Sequence, residues 1–312
     1  MGIVVFGAVF VDIKGYPTGQ FNQEAKNAGV VLQTHGGVAR NVVEDIANVE
    51  LRPTFVSVVD HSGASKDILD QLKRHKVNTD YVAIDENGLG TWMAVFNRQG
   101  EVIASMSQRP NLRPIIDTIE HHGEEIFSKA DSVVLDISME SDIVKKILYY
   151  AAQYNKKVLG VVSNMSLALE RRDLLAKMDC IVCNLAEAGL LFSYDYKDMD
   201  ENVIAKHLFS NLKKAGFKQL VVTLGDKGSI YMDEQHYGIM PALDTYVIDT
   251  TGAGDSFFAG VAIGVTYGKS LEESCMIGTR LASSVIATKE NVCPRFTPTE
   301  FDLKKSDMMF HH

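Results

Sequence analysis

The chain has no basic excess: 31 lysines and arginines stand against 40 acidic residues, a formal net charge of −9 over 312 residues. Proteins hold a nucleic-acid backbone by displacing its counterions with basic side chains, so a nucleic-acid polymer is excluded as the main partner. Long hydrophobic runs are also missing. No stretch reaches the ~18 apolar residues of a membrane-crossing helix, and no membrane role is expected. The opening Met1-Gly2-Ile3-Val4-Val5-Phe6 lacks a basic region and an A-x-A cleavage site. It reads as a buried first strand, not a signal peptide, and the expected location is the cytoplasm. Four cysteines are too few for a disulfide framework. Cys180 and Cys183 form a C-x-x-C, but zinc would need a second ligand pair at similar spacing, and none occurs. Inside the apolar run Met178–Cys183 they are expected to be packed, reduced thiols. The histidines, including His121-His122 and the terminal His311-His312, have no metal-ligand spacing. No repeat, low-complexity tract or linker divides the chain. A G-x-G-x-x-G dinucleotide fingerprint is absent. Gly264–Ser270 imitates a P-loop, but its glycines stand one residue too close and it follows a helix where a P-loop follows a strand.

What is present is ordinary globular composition, 46% hydrophobic and 23% charged. Continuous apolar runs at Ile3–Phe6, Thr54–Val59, Ser132–Leu135, Val158–Val162, Cys180–Cys183 and Gln219–Leu224 have the character of buried parallel strands. Between them apolar residues recur at helical spacing, as in Val38, Val42, Ile46 and Val49, or Ile143, Ile147, Leu148 and Ala151. Alternating strands and helices imply an α/β fold: a mainly parallel sheet between two helical layers. Two segments break the rhythm. Residues 13–35 are polar with a strand-like end at Val30–Gln33, and residues 88–108 read as a hairpin turning at Asn97-Arg98-Gln99-Gly100. The expectation is one domain over residues 1–312, with these segments forming a small β lid at the active-site edge.

The most informative stretch is Ile248-Asp249-Thr250-Thr251-Gly252-Ala253-Gly254-Asp255-Ser256, which runs into an apolar helix. Small residues at 252–254 let backbone N–H groups approach an anion at a helix N-terminus. A carboxylate beside an anion hole would repel a merely bound phosphate. It makes sense if Asp255 accepts a proton from a hydroxyl while the amides stabilise a transferring phosphoryl group.

Asp249–Asp255 resembles the C-terminal signature of the ribokinase-type (PfkB) sugar and nucleoside kinases. Gly36-Gly37-Val38-Ala39-Arg40-Asn41 is similar to their N-terminal signature, Asn184-Leu-Ala-Glu187 to their N-x-x-E motif, and Thr223-Leu-Gly225-Asp-Lys-Gly228 to their T-x-G-x-x-G nucleotide segment. The four motifs occur in the family's order and cover nearly the whole chain. The resemblance implies a three-layer ribokinase-like fold and an ATP- and Mg²⁺-dependent kinase. It makes Asp255 the general base and Gly252, Ala253 and Gly254 the anion hole. It assigns ATP to Asn184, Glu187, Thr223, Gly225 and Gly228, with Glu187 reaching Mg²⁺ through water. Asp249 and Thr251 match positions that hold a monovalent cation such as K⁺ in many relatives. The acceptor would lie against Asp12, Gly36, Gly37, Arg40, Asn41 and Trp92. Read alone, Asp12 is equally a turn residue, Arg40 a surface helix residue, and Asn184 with Glu187 a plain helix cap.

The stretch Gly36–Glu44 and the hairpin after Gly90 are most similar to the branch that phosphorylates pseudouridine to its 5′-phosphate. Ribokinase- or fructokinase-like sugar phosphorylation, and a catalytically silent binding protein on the same scaffold, are the alternatives. That branch carries Asp-Pro where this chain has Ser163-Asn164, which removes a carboxylate near the phosphates. Lid strands in the family often pair between subunits, implying a homodimer.

Overall fold

The structure, a computed structural model, describes residues 2–97, 99 and 101–303. Arg98 and Gly100 of the expected turn, and His311-His312, lie outside the described residues. The first half runs β1 (Gly2–Phe6), β2 (Phe10–Pro17), β3 (Gly29–Gly36), α1 (Val38–Asn48), β4 (Thr54–Val59), α2 (Gly63–Arg74), β5 (Asn78–Ile84), β6 (Gly90–Phe96) and β7 (Val102–Gln108). Then come α3 (Pro114–Lys129), β8 (Ala130–Asp136), α4 (Ser141–Gln153), β9 (Lys157–Val161), α5 (Met165–Leu169), α6 (Arg172–Leu175), β10 (Cys180–Asn184) and α7 (Leu185–Phe192). The chain continues through α8 (Glu201–Ala215), β11 (Gln219–Thr223), β12 (Ser229–Asp233), β13 (Tyr237–Met240), α9 (Ala253–Thr266) and α10 (Leu271–Ile286).

The main sheet has the order β13-β12-β11-β10-β9-β8-β1-β4-β5. All pairs from β11 to β5 are parallel, while β12 and β13 add an antiparallel edge. A parallel strand covered on both faces is apolar throughout, which is why β4 is buried along its whole length. Alternate residues feed opposite cores. Val4 and Phe6 pack with Ile115, Ile143 and Leu208 from α3, α4 and α8. Ile3 and Val5 pack with Val42, Ile68, Val261 and Leu281 from α1, α2, α9 and α10. Cys180 and Cys183 fall on opposite sides of the sheet, in different cores, so they cannot chelate one ion. Among the described residues no helix is long and apolar enough to cross a membrane.

The small sheet has the order β3-β2-β6-β7. Its β2–β6 pair is parallel; β2–β3 and β6–β7 are antiparallel. β2 begins at Phe10, earlier than the sequence pattern suggests, because this half-exposed strand carries Gly15 and Pro17 and lacks a continuous apolar run. The chain returns from β3 to the main layer through Gly36-Gly37. Gly37 has φ 97°, and a Cβ there would stand 2.7 Å from the Ala8 carbonyl, so only glycine makes this corner. Strand order reverses at β1, whose neighbours are β4 and β8, and the crevice beyond the carboxyl ends at such a reversal is where α/β sheets place ligands.

Candidate active site

Several candidate segments reach this carboxyl edge at the end of a strand. Asp136 ends β8, Ser163 follows β9, Asn184 ends β10 and Thr223 ends β11, with Asn184 and Thr223 in register. Facing them is the N-terminus of α9. Gly252, the residue before its first turn, has φ 83°, and no side chain caps the helix. The Ala253 N–H makes only a long 3.3 Å bond to the Thr250 carbonyl. First-turn N–H groups lack intrahelical partners, and together with the helix dipole they favour an anion here.

Asp255 stands in that first turn. The Asn41 side-chain amide, in the first turn of α1, donates to Asp255 Oδ2 at 2.6 Å. Desolvation raises the Asp255 carboxyl from 3.8 to about 6; the Asn41 bond and the Arg40 charge work against this, while Asp136 and Asp12 add to it. A carboxylate near 6 is ionised at neutral pH yet basic enough to share a hydroxyl proton. Burial likewise raises Asp12, opposed by Lys14 and Arg40. A Cβ at Gly36 would lie 2.5 Å from the Asp12 oxygens, so glycine there keeps the carboxylate clear.

Trp92 is the register partner of Asp12 across β2–β6. Tyr16 and Phe96 lie four residues further along each strand, hence on the same face. Their rings stack at 4.9 Å, and Trp92 meets Phe96 edge-on at 6.4 Å. A carboxylate and an aromatic wall therefore share one face of the small sheet.

A cavity of about 610 Å³ lies beside the α9 N-terminus, lined by Thr223, Gly225, Gly228, Ala253 and Gly254 among others. Gly228 has φ 95°, and a Cβ there would collide with the Met240 carbonyl. Asn184 and Glu187 are not in that lining. They form a capping box at the start of α7, Asn184 Oδ1 accepting from the Glu187 amide at 2.9 Å and Glu187 Oε2 from the Asn184 amide at 2.8 Å. Asp249 and Thr251 are joined by a 2.8 Å bond from the Thr251 amide to Asp249 Oδ1. Both line a second cavity of about 240 Å³ with Lys14, Arg40, Lys289, Glu290 and Asn291.

Arg40 is buried, 1% exposed, not a surface helix residue. Its Nη1 pairs with Glu44 Oε2 at 2.5 Å, and its Nη2 donates to the His35 carbonyl and, at 3.4 Å, to Asn291 Oδ1. Helical spacing repeats this inward polarity. Asp45 accepts from Ser256 Oγ at 2.7 Å and from the Cys293 amide at 2.6 Å, and Asn48 donates to the Cys293 carbonyl at 2.7 Å. Burial pushes the Asp45 carboxyl up to about 7. Sequence reasoning placed Arg40 at the acceptor and passed over the inward role of Glu44, Asp45 and Asn48, because charged residues at helical spacing ordinarily face water. Asp136 was passed over too, although a carboxylate closing a buried strand at the carboxyl edge is a usable signal. Ser163 Oγ donates to Asp136 Oδ2 at 2.7 Å, so an acid does stand beside the position that lacks Asp-Pro.

Residues 2–294 match the pfkB family carbohydrate kinase profile. The chain belongs to that family. It is 30% identical over 292 residues to the guanosine-inosine kinase of Exiguobacterium acetylicum, covering 93% of this chain and 95% of that protein. It is 25% identical over 263 residues to the pseudouridine kinase of Escherichia coli K12, covering 83% and 82%. The structure of Arabidopsis thaliana ribokinase complexed with ribose and ATP matches with a TM-score of 0.82 at 22% identity, over 94% of this chain and 95% of that one. The ribokinase-like fold is thereby established, and this pfkB kinase is an ATP-dependent enzyme of the sugar and nucleoside kinase class.

Proposed function

We propose that the enzyme transfers the γ-phosphoryl group of MgATP to the 5′-hydroxymethyl group of a nucleoside, with guanosine and inosine the leading acceptors. The observation that carries this is the wall of Trp92, Phe96 and Tyr16 on the same face as Asp12. Asp12 can accept hydrogen bonds from two vicinal ribose hydroxyls at once, while the rings offer a surface on which a base stacks. A free sugar has no planar base and gains less from that surface. The 30% identity to a guanosine-inosine kinase supports the same class. Pseudouridine remains the second reading, favoured by the resemblance over Gly36–Glu44.

In the transfer, Asp255 takes the hydroxyl proton as that oxygen bonds to the γ-phosphorus, and ADP leaves. The amides of Gly252 and of the first α9 residues, Ala253 and Gly254, stabilise negative charge on the phosphoryl oxygens. ATP lies in the larger cavity against Thr223, Gly225 and Gly228. Glu187 is half-buried, its carboxyl raised by desolvation, with one oxygen engaged by an amide. The other oxygen suits a divalent ion's water, and Mg²⁺ so held would neutralise phosphate charge. In the cavity beside Asp249 and Thr251, Lys14 and Lys289 balance Asp249 and Glu290 while Arg40 is paired with Glu44, so no surplus negative charge draws a monovalent cation there. Turnover is therefore expected without added K⁺. Closure of the small sheet as a lid would exclude water that otherwise consumes ATP.

Trp92→Ala tests the acceptor class. Stacking contributes about 1–3 kcal/mol per base, so kcat/KM for guanosine should fall roughly 10- to 100-fold while that for ribose stays near its wild-type value. Equal losses on both acceptors would remove the base-stacking role. The edge strand β3 exposes Val30, Val31 and Leu32, at 52%, 70% and 48%, which a second copy of the chain would cover. Sedimentation at micromolar concentration should give a dimer; a monomer would overturn this part.

A further inference from the structure

Among the described residues Arg40 is the largest fully buried side chain, and its hydrogen bonds are made inside the protein. One arm is held by Glu44, itself fully buried, whose other oxygen accepts from Gln71 Nε2 at 2.6 Å and faces His75 Nδ1 at 3.2 Å. That pairing ties α1 to α2 and fixes where the guanidinium points. The other arm reaches the His35 carbonyl, at the end of β3 where the small sheet returns to the main layer. Asn291 Nδ2 donates to that same carbonyl at 2.7 Å, and Asn291 Oδ1 faces Arg40. The Asn291 main chain in turn lies against Gly252, where an added Cβ would collide with its carbonyl. A short chain of contacts thus runs from the root of the small sheet through Arg40 and Asn291 to the residue that opens the anion hole.

We propose that Arg40 is a positioning residue: it fastens the Asn291 loop to the root of the small sheet at His35 and thereby couples the geometry of the Gly252–Asp255 anion hole to the position of that sheet. A planar guanidinium can serve both Glu44 and the carbonyl cluster, which a lysine ammonium cannot do in the same geometry. The residue acts through Gly252 and does not touch the acceptor. When the acceptor draws the small sheet down, the His35 carbonyl moves with it, and this connection carries the movement to the Asn291 loop and so to Gly252. The proposal rests on the kinase reading of the site.

Arg40→Lys tests it, because the lysine keeps a positive charge beside Glu44 and gives up the second arm. Hydrogen exchange on the protein without ligands should rise at least 10-fold in peptides covering 288–293 and 252–255, with the remaining helices at wild-type protection. Acceptor-dependent kcat should fall at least 10-fold, with KM for the nucleoside within about 3-fold of wild type. Asn291→Ala should give a similar kcat loss, and the double variant no further loss, because both act through one connection. Unchanged exchange in those two segments, or fully additive losses, would overturn the proposal. A raised nucleoside KM with normal kcat would also overturn it and return Arg40 to direct acceptor binding. Wild-type protein that phosphorylates no nucleoside would overturn the function proposed above, while the exchange result would still decide the coupling of Arg40 to the anion hole. If Arg40→Lys does not fold, Asn291→Ala carries the same exchange test.

Discussion

Asp255→Asn is expected to lower kcat at least ~100-fold, the usual worth of a positioned base, and at the same time to raise the melting temperature. The two effects have one cause. Desolvation lifts the folded-state carboxyl from 3.8 to about 6, so between those values the folded protein holds a proton that the unfolded chain has lost. Stability therefore falls as pH rises from about 4 to about 6, and the deficit persists above 6. At roughly 1.4 kcal/mol per unit, removing the charge should return about 1–3 kcal/mol at pH 7, a few degrees in melting temperature. The asparagine can still accept the Asn41 amide bond, so the fold is not disturbed. In the wild type, kcat/KM should drop with unit slope below pH about 6. Asp136→Asn should move that limb to lower pH, since Asp136 is one of the like charges raising Asp255. Thermal melts and pH–rate profiles check each part. An Asp255→Asn enzyme with near-normal turnover would end the general-base role.

Gly252→Ala is expected to cost at least ~100-fold in kcat, comparable to losing a principal oxyanion donor, while ATP still binds in the cavity beyond. Gly252 has φ 83°, and a Cβ would collide with the Asn291 carbonyl. An L-residue in this left-handed conformation alone loses about 1–2 kcal/mol. Relief must come from the Asn291 loop or from α9, and either movement turns the first-turn amides away from the phosphoryl group. Nucleotide binding by calorimetry with kcat measured in parallel separates the effects. Equal losses in ATP affinity and turnover would mean the residue shapes the pocket as a whole and not the anion hole.

Much of this was legible in the amino-acid order. The main sheet follows from continuous apolar runs, since only strands buried on both faces can be apolar throughout, and β1, β4, β8, β9, β10 and β11 all lie where such runs occur. The motifs around Gly37, Asn184, Thr223 and Gly252 lie at strand or helix ends, where their spacing has local meaning. What escaped was long-range. The buried stripe of Arg40, Glu44, Asp45 and Asn48 has the pattern of a solvated helix face and is buried only because the 291–296 loop and α2 close over it. The ring cluster of Tyr16, Phe96 and Trp92 depends on a parallel pairing between residues 80 positions apart, which no local pattern encodes. Arg40 illustrates the gap most clearly. Its motif suggested an acceptor contact, whereas its hydrogen bonds are directed at Glu44, His35 and Asn291.

The most direct measurement is product analysis after incubating the wild-type protein with MgATP and an equimolar mixture of guanosine, inosine, pseudouridine, ribose and fructose. Phosphate should appear on the 5′-oxygen of a nucleoside, guanosine or inosine first, with and without K⁺. A phosphorylated free sugar in preference to every nucleoside, or ATP binding with no phosphorylated product, would contradict it.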